Sequence, residues 1–212
     1  MKTKKHDFVE LDFSAYTKEG LLFDTTRQED AKRAGIEKGH FEPIVVCIGE
    51  GMVLKSLDKA LENKEVGKDY ELVLKPEEAF GKRIPQLIKT FPISAFTEKP
   101  IPGMFVDVNG IVGKVISVTS GRVVVDLNNP LAGKEVIYKF RINRIINENK
   151  KKIEAIAKIF NLEIKDIEEK EGKVIISLKN KNISIEAFKK KVKELVGVDT
   201  EIIDKEKENA NS

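Results

Sequence analysis

The chain has one cysteine, Cys47, no tryptophan, three methionines and two histidines among 212 residues. A lone cysteine rules out an intramolecular disulfide, and a reducing compartment is its simplest setting. Cys47 sits in the apolar run Ile44 to Ile48, where a small buried side chain is expected rather than a nucleophile, and neither histidine offers it a base nearby in sequence. Long hydrophobic runs are missing too. No stretch reaches membrane-spanning length, and Met1 to Asp7 is charged without the apolar core of a signal peptide, so a cytoplasmic protein is expected. Nor does one charge sign dominate. With 38 basic and 35 acidic residues the formal net charge is +3, which gives no general argument for a nucleic-acid or membrane partner.

What is present is charge in quantity, mostly Lys and Glu, a bias that fits heat adaptation and equally a codon habit. The length allows a substantial core in one or two domains, or three small ones. Val9, Leu11, Phe13 and Ala15 alternate with polar residues as in a strand with one buried face, and a turn at Lys18-Glu19-Gly20 returns the chain through Leu21 to Thr25. From Arg27 to His40 the sequence is polar with no apolar face, and His40 reads as solvated. Ile44 to Ile48 predicts another strand. Val53, Leu57, Ala60 and Leu61 then fall at helical spacing, entered through Gly49 and Gly51, and Tyr70, Leu72 and Leu74 alternate once more before Pro76. Together these predict a helix laid on a sheet.

After Gly81 the character changes. Ile84 to Pro102 is proline-rich without a sustained strand period, whereas Phe105 to Val108, Ile111 to Val118 and Arg122 to Leu127 are strand-like runs joined at Asn109-Gly110 and Ser120-Gly121. Asn-Gly between apolar runs is a strong hairpin signal because both residues tolerate positive φ. A small β-rich unit with surface apolar groups is expected there. Val136, Tyr138, Phe140 and Ile142 alternate again. Beyond Asn147, Ile153, Ile156, Ala157 and Phe160 mark a helix, Ile164 to Glu168 and Val174 to Leu178 a hairpin about Glu171-Gly172, and Ser184 an N-cap for a second helix carrying Phe188, Val192 and Leu195. Thr200 to Ile203 adds a strand. The lysines at 150–152 and 189–191 are interspersed with carboxylates and read as solvated helix faces rather than nucleic-acid contacts.

The order Val9, Leu11, Phe13, then Gly20, Phe23-Asp24, then Ile48-Gly49 to Leu61, Val66-Gly67 and Ala79-Phe80-Gly81 resembles the FKBP family of peptidyl-prolyl isomerases. The stretch Val123 to Lys134, VVVDLNNPLAGK, resembles the SlyD branch of that family, in which a chaperone domain is inserted into the isomerase. The resemblance implies an α+β fold: an antiparallel half-barrel wrapped on one helix, discontinuous over 1–83 and 131–147, with an inserted β-rich chaperone domain at 84–130. A C-terminal αββαβ module at 148–204 resembles that of the long archaeal FKBP chaperones, followed by a disordered tail at 205–212. The His- and Cys-rich metal-binding tails of bacterial SlyD proteins have no counterpart here, so neither metal nor cofactor is expected.

By the same resemblance the catalytic pocket comprises Phe13, Phe23, Asp24, Ile44, Val53, Leu54, Leu57, Phe80 and Tyr138, with Leu131 and Ala132 at its edge. Leu57 forms the floor, the Leu54 N–H holds a substrate carbonyl, and Asp24 faces the polarised amide. Taken by themselves, the apolar members read as core and Asp24 as a turn residue. Phe13 and Phe80 stand where the family usually has Tyr, which implies modest activity and only weak macrolide binding. Ile88, Phe91, Phe96, Met104, Val106 and Ile116 are the candidates for client binding, and each equally suits the insert's own core. Unfolded, proline-containing polypeptides are the expected partners. A homodimer through the C-terminal module is a further one, and no nucleic acid is expected. The competing function is a non-enzymatic holdase with a vestigial pocket; a weaker rival is an RNA-binding adaptor.

Overall fold

In the computed structural model the described residues are 1–39, 41–170, 173–179 and 185–203. His40, the Glu171-Gly172 turn, the Ser184 cap and the tail at 205–212 lie outside them. In chain order the elements begin β1 Phe8–Thr17, β2 Leu22–Thr25, α1 Gln28–Arg33, β3 Ile44–Cys47, α2 Lys55–Ala60 and β4 Asp69–Leu74. Next come β5 Ile88–Pro92, β6 Phe105–Val108, β7 Ile111–Thr119, β8 Arg122–Asp126 and β9 Val136–Ile145. The last are α3 Asn149–Ile159, β10 Ile164–Lys170, β11 Lys173–Leu178, α4 Ile185–Val196 and β12 Asp199–Ile203. Two compact units result. The first takes in Met1–Tyr16, Leu21–Leu72 and the described chain from Ile137 onward; the second takes in Thr17–Gly20 and Val73–Val136.

The first unit is built on a five-stranded sheet in the order β2-β1-β9-β4, with β3 also paired to β1. The long β1 pairs with β9 and also with two antiparallel strands, β3 along Phe8 to Leu11 and β2 along Ser14 to Tyr16. Its alternating apolar side is buried at Val9, Leu11, Phe13 and Ala15, as the period-two pattern requires. Ser14, on the opposite side, is buried as well. The polar stretch after Arg27 explains this: it forms α1, Ala31 of that helix is wholly buried, and the Ser14 hydroxyl donates to Asp30 at 2.6 Å and meets Thr25 Oγ1 at 2.7 Å. A segment without an apolar face thus docks through hydrogen bonds. Helix α2 is only six residues long and begins at Lys55, so Val53 lies in the approach to it, while Leu57 and Leu61 are buried.

The C-terminal αββαβ order is present. β10 and β11 are antiparallel, and β12 returns parallel to β11, which requires the α4 crossover between them. These residues share a core with the sheet: Ile153, Ile156, Leu162, Phe188 and Val192 cluster with Phe8, Cys47 and Ile146. That continuity is why 148–203 falls in the first unit instead of standing as a module of its own.

The second unit carries a four-stranded sheet, β5-β8-β7-β6, around Val115, Val123 and Val125. Asn109 and Gly110 have φ of 55° and 82°, the left-handed pair that a tight hairpin needs. The proline-rich stretch hides a strand, β5, paired with β8 from Ile88 to Pro92. It lies at the sheet edge, where the missing N–H of proline is tolerated. The unit extends beyond 84–130 at both ends, since Val73–Arg83 and Leu131–Val136 belong to it.

Candidate functional site

Three rings meet on the first unit's sheet. Tyr138 of β9 lies 5.9 Å from Phe13 of β1, tilted by 42°, and 6.1 Å from Phe23 of β2, edge to face at 85°. Such offset and edge-on contacts suit the ring quadrupoles. Phe13 and Tyr138 are buried and Phe23 is half-buried. Tyr138 is therefore the hub. Burial pushes its phenol up to about 12, and the negative charge of Asp24 acts in the same direction. Asp24, beside Phe23, is exposed as a residue, yet crowding around its carboxyl raises its pKa above the ordinary value, opposed by a hydrogen bond from the Thr25 backbone. A phenol held protonated beside a carboxylate, within an apolar wall, offers directed hydrogen bonding and no nucleophile.

The β1–β2 end is braced by residues the sequence reading did not single out. Thr26 Oγ1 accepts from the Phe13 N–H at 2.8 Å and donates to the Asp12 carboxylate, and the Thr26 N–H donates to Phe13 O at 2.9 Å. Asp12 also pairs with Arg27 Nε at 3.3 Å. Both the N–H and the C=O of Phe13 are thus held. A pair of threonines after Phe23-Asp24 was the available signal, since short β-branched hydroxyls readily bond nearby backbone.

Ile44 opens β3 and is half-buried, as are Val53 and Leu54. Leu54 is the N-cap of α2 with extended ψ of 130°, and no partner for its N–H is found among the described residues. Leu57 on α2 is fully buried. The turn before Leu54 is shaped by Asp58, another unforeseen residue: its buried carboxylate accepts from the Gly49 N–H at 2.8 Å and the Gly51 N–H at 2.9 Å. Both glycines have positive φ, 88° and 68°, which lets their N–H groups converge on one side chain. Phe80, Leu131 and Ala132 belong to the second unit and are half-buried there; the Gly133 N–H donates to Gly81 O at 2.8 Å, which joins their two segments. Cys47 is fully buried and its thiol is pushed up to about 12, chiefly by burial, so it is inert. Among the described residues no group of three His, Cys, Asp or Glu is placed to hold a metal.

A family model described as FKBP-type peptidyl-prolyl cis-trans isomerase matches residues 1–93, and one described as the FKBP26 IF domain matches residues 89–131. A short-type peptidyl-prolyl cis-trans isomerase of Methanocaldococcus jannaschii is 31% identical over 147 residues, 67% of this chain and 93% of that one. The chain belongs to the FKBP-type peptidyl-prolyl isomerases. The SlyD isomerase of Pasteurella multocida is 28% identical over 148 residues, 67% of this chain and 68% of its own, and a 16 kDa FKBP-type isomerase of Escherichia coli is 25% identical over 132 residues, 59% and 89%. The reaction of this isomerase is rotation about the bond preceding proline.

On the isomerase's second unit, register decides which apolar residues face outward. Phe105 pairs with Lys114, Asp107 with Val112, and Lys114 and Ile88 both pair with Asp126, so these residues share one face. Phe105, Val112 and Ile88 are exposed on it, and Ile116 is exposed at the irregularity between Val115 and Ser117. Phe91, Phe96, Met104 and Val106 instead pack against the unit's own core. Of the six expected client-binding residues, Ile88 and Ile116 are exposed and the other four are half-buried against that core. Phe105 is exposed beside the half-buried Val106 because adjacent strand residues point to opposite faces.

Proposed function

We propose that the Phe13, Phe23 and Tyr138 cluster, with Asp24, Ile44, Val53, Leu54 and Leu57, is the cradle in which this isomerase turns X–Pro bonds of unfolded clients. The observation that carries the reading is the buried Tyr138 ring set between Phe13 and Phe23 beside the Asp24 carboxyl. The barrier to be lowered is roughly 18–20 kcal/mol and arises from amide resonance. Twisting the C–N bond returns the lone pair to nitrogen and makes the carbonyl less polar, so a water-poor wall favours the twisted amide over the planar one. The Leu54 N–H holds a client carbonyl beside the bond that rotates. A thousandfold acceleration requires about 4 kcal/mol of such preference. Phe13 lacks a hydroxyl, and the hydrogen bond so forgone is worth about 0.5–1.5 kcal/mol, which keeps catalysis moderate and macrolide binding weak.

The second unit holds the client. Its exposed Phe105, Val112, Ile88 and Ile116 supply apolar contact, β6 is an edge strand open to strand addition, and a groove of about 280 Å³ beside it is lined by Phe96, Met104, Phe105 and Val106. Tethering raises the proline concentration near the cradle. Such clients suit a cytoplasmic protein, a setting supported by the single buried thiol; no described helix is long and apolar enough to cross a membrane. Proline-limited refolding with Asp24→Ala combined with Tyr138→Ala tests the cradle, and acceleration should fall by at least about tenfold. Undiminished acceleration refutes it, and suppressed aggregation without any acceleration in the wild type selects the holdase.

A further inference from the structure

The turn that delivers Leu54 is held from two sides. From within, Asp58 gathers the Gly49 and Gly51 N–H groups. From the C-terminal segment, Lys191 Nζ on α4 reaches Glu50 Oε2 at 2.7 Å, while His6 Nε2 lies 3.3 Å from the other oxygen, Oε1. The Glu50 side chain is only 11% exposed, so its carboxyl relies on these partners for polar contact. Lys191 also bonds Glu194 at 3.3 Å, and its pKa is raised first of all by the Glu50 hydrogen bond. Two residues on, Met52 packs against the shared core that contains Phe188 and Val192, and its sulfur accepts from the Cys47 N–H at 3.2 Å. The approach to Leu54 is therefore anchored at Glu50 and Met52 to a segment far along the chain.

We propose that the C-terminal αββαβ segment is a positioning device for catalysis, with Lys191 and Glu50 as positioning residues that set the Gly49–Leu54 turn and so the aim of the Leu54 N–H. This rests on the cradle assignment above. The turn contains two glycines and a six-residue helix follows it, so little in its own sequence makes it stiff. Lys191→Met leaves a nearly buried carboxylate with His6 alone, and the cheapest relief is for the turn to move Glu50 outward. Misplacement of about 1 Å in a positioned donor costs up to a hundredfold in rate.

The test uses the full chain and a proline tetrapeptide. Lys191→Met and Glu50→Gln should each lower kcat/KM by about tenfold, mostly in kcat, the double variant should be no worse than either single one, and Lys191→Arg should restore most of the loss. Thermal unfolding identifies any variant whose loss is global, and the Leu54 amide resonance reports the turn without reference to activity. It should shift in Lys191→Met and return in Lys191→Arg. Unchanged resonance and kcat/KM in folded Lys191→Met overturn the proposal, as does an additive double variant. A shifted resonance with unchanged catalysis overturns the role given to Leu54 and with it the functional step. Failure of the cradle reading itself shows separately, as full activity in Tyr138→Ala.

Discussion

Replacing Ile156 by Ala tests whether the C-terminal segment and the isomerase sheet unfold as one body. Ile156 is wholly buried on α3, which packs against β3, and belongs to the cluster that also contains Cys47 of β3. Truncating a buried Ile to Ala costs about 2–5 kcal/mol, through lost transfer energy and the cavity left behind. Cys47 supplies the readout. Its thiol is pushed from 9.0 to about 12, so in the closed form the reactive thiolate is about a thousandfold scarcer than in an open chain at the same pH, and full burial blocks the reagent as well. Labelling by an aromatic disulfide at pH 8 therefore proceeds through opening. If one cooperative unit opens, 2 kcal/mol of destabilisation raises the labelling rate by about thirtyfold, and more at the upper end of the range. The measurement is the labelling time course of Ile156→Ala against wild type, paired with urea unfolding. Loss of stability in the C-terminal segment with an unchanged Cys47 rate would refute the shared core.

Three other outcomes are expected. Above pH 9 the unfolded chain gives up the Cys47 proton while the folded chain keeps it to about pH 12, and Tyr138 repeats this between pH 10 and 12. The folded state then binds more protons, so stability falls with rising pH by up to about 1.4 kcal/mol per unit for each group; urea titrations at pH 8 to 11 should show the decline begin earlier in wild type than in Cys47→Ala. In Gly113→Ala the added carbon would lie 2.6 Å from both Leu127 Cδ2 and Val125 Cγ1, an overpacking worth about 1–3 kcal/mol. That loss should appear in the unfolding of the second unit and leave Cys47 labelling unchanged. Phe105→Ser with Val112→Ser should slow catalysed refolding of a protein client severalfold and leave tetrapeptide turnover intact, as measured side by side; equal loss on both refutes client holding by that face.

Local periodicity carried much of this protein. The alternation of Val9, Leu11, Phe13 and Ala15, the Asn109-Gly110 turn and the αββαβ order after Asn147 are each written within a few residues, because a strand or helix repeats its buried face at a fixed step. The roles proposed for Phe23, Asp24, Leu54 and Leu57 rest on family resemblance, since by themselves the apolar residues read as core and Asp24 as a turn residue. Strand β5 was obscured because prolines and the lack of alternation mask an edge strand whose evidence is its pairing with β8.

The sequence by itself determined most of the elements and their order, since backbone preference and apolar spacing are local properties. Only the tertiary structure decided that Thr26 braces the Phe13 backbone and Asp58 the Gly49–Gly51 turn, that Val106 faces inward while Phe105 faces out, and that Lys191 meets Glu50. The reason is physical. A buried N–H or carboxylate requires a partner but does not specify where along the chain it comes from, and that choice is made only when distant segments pack together.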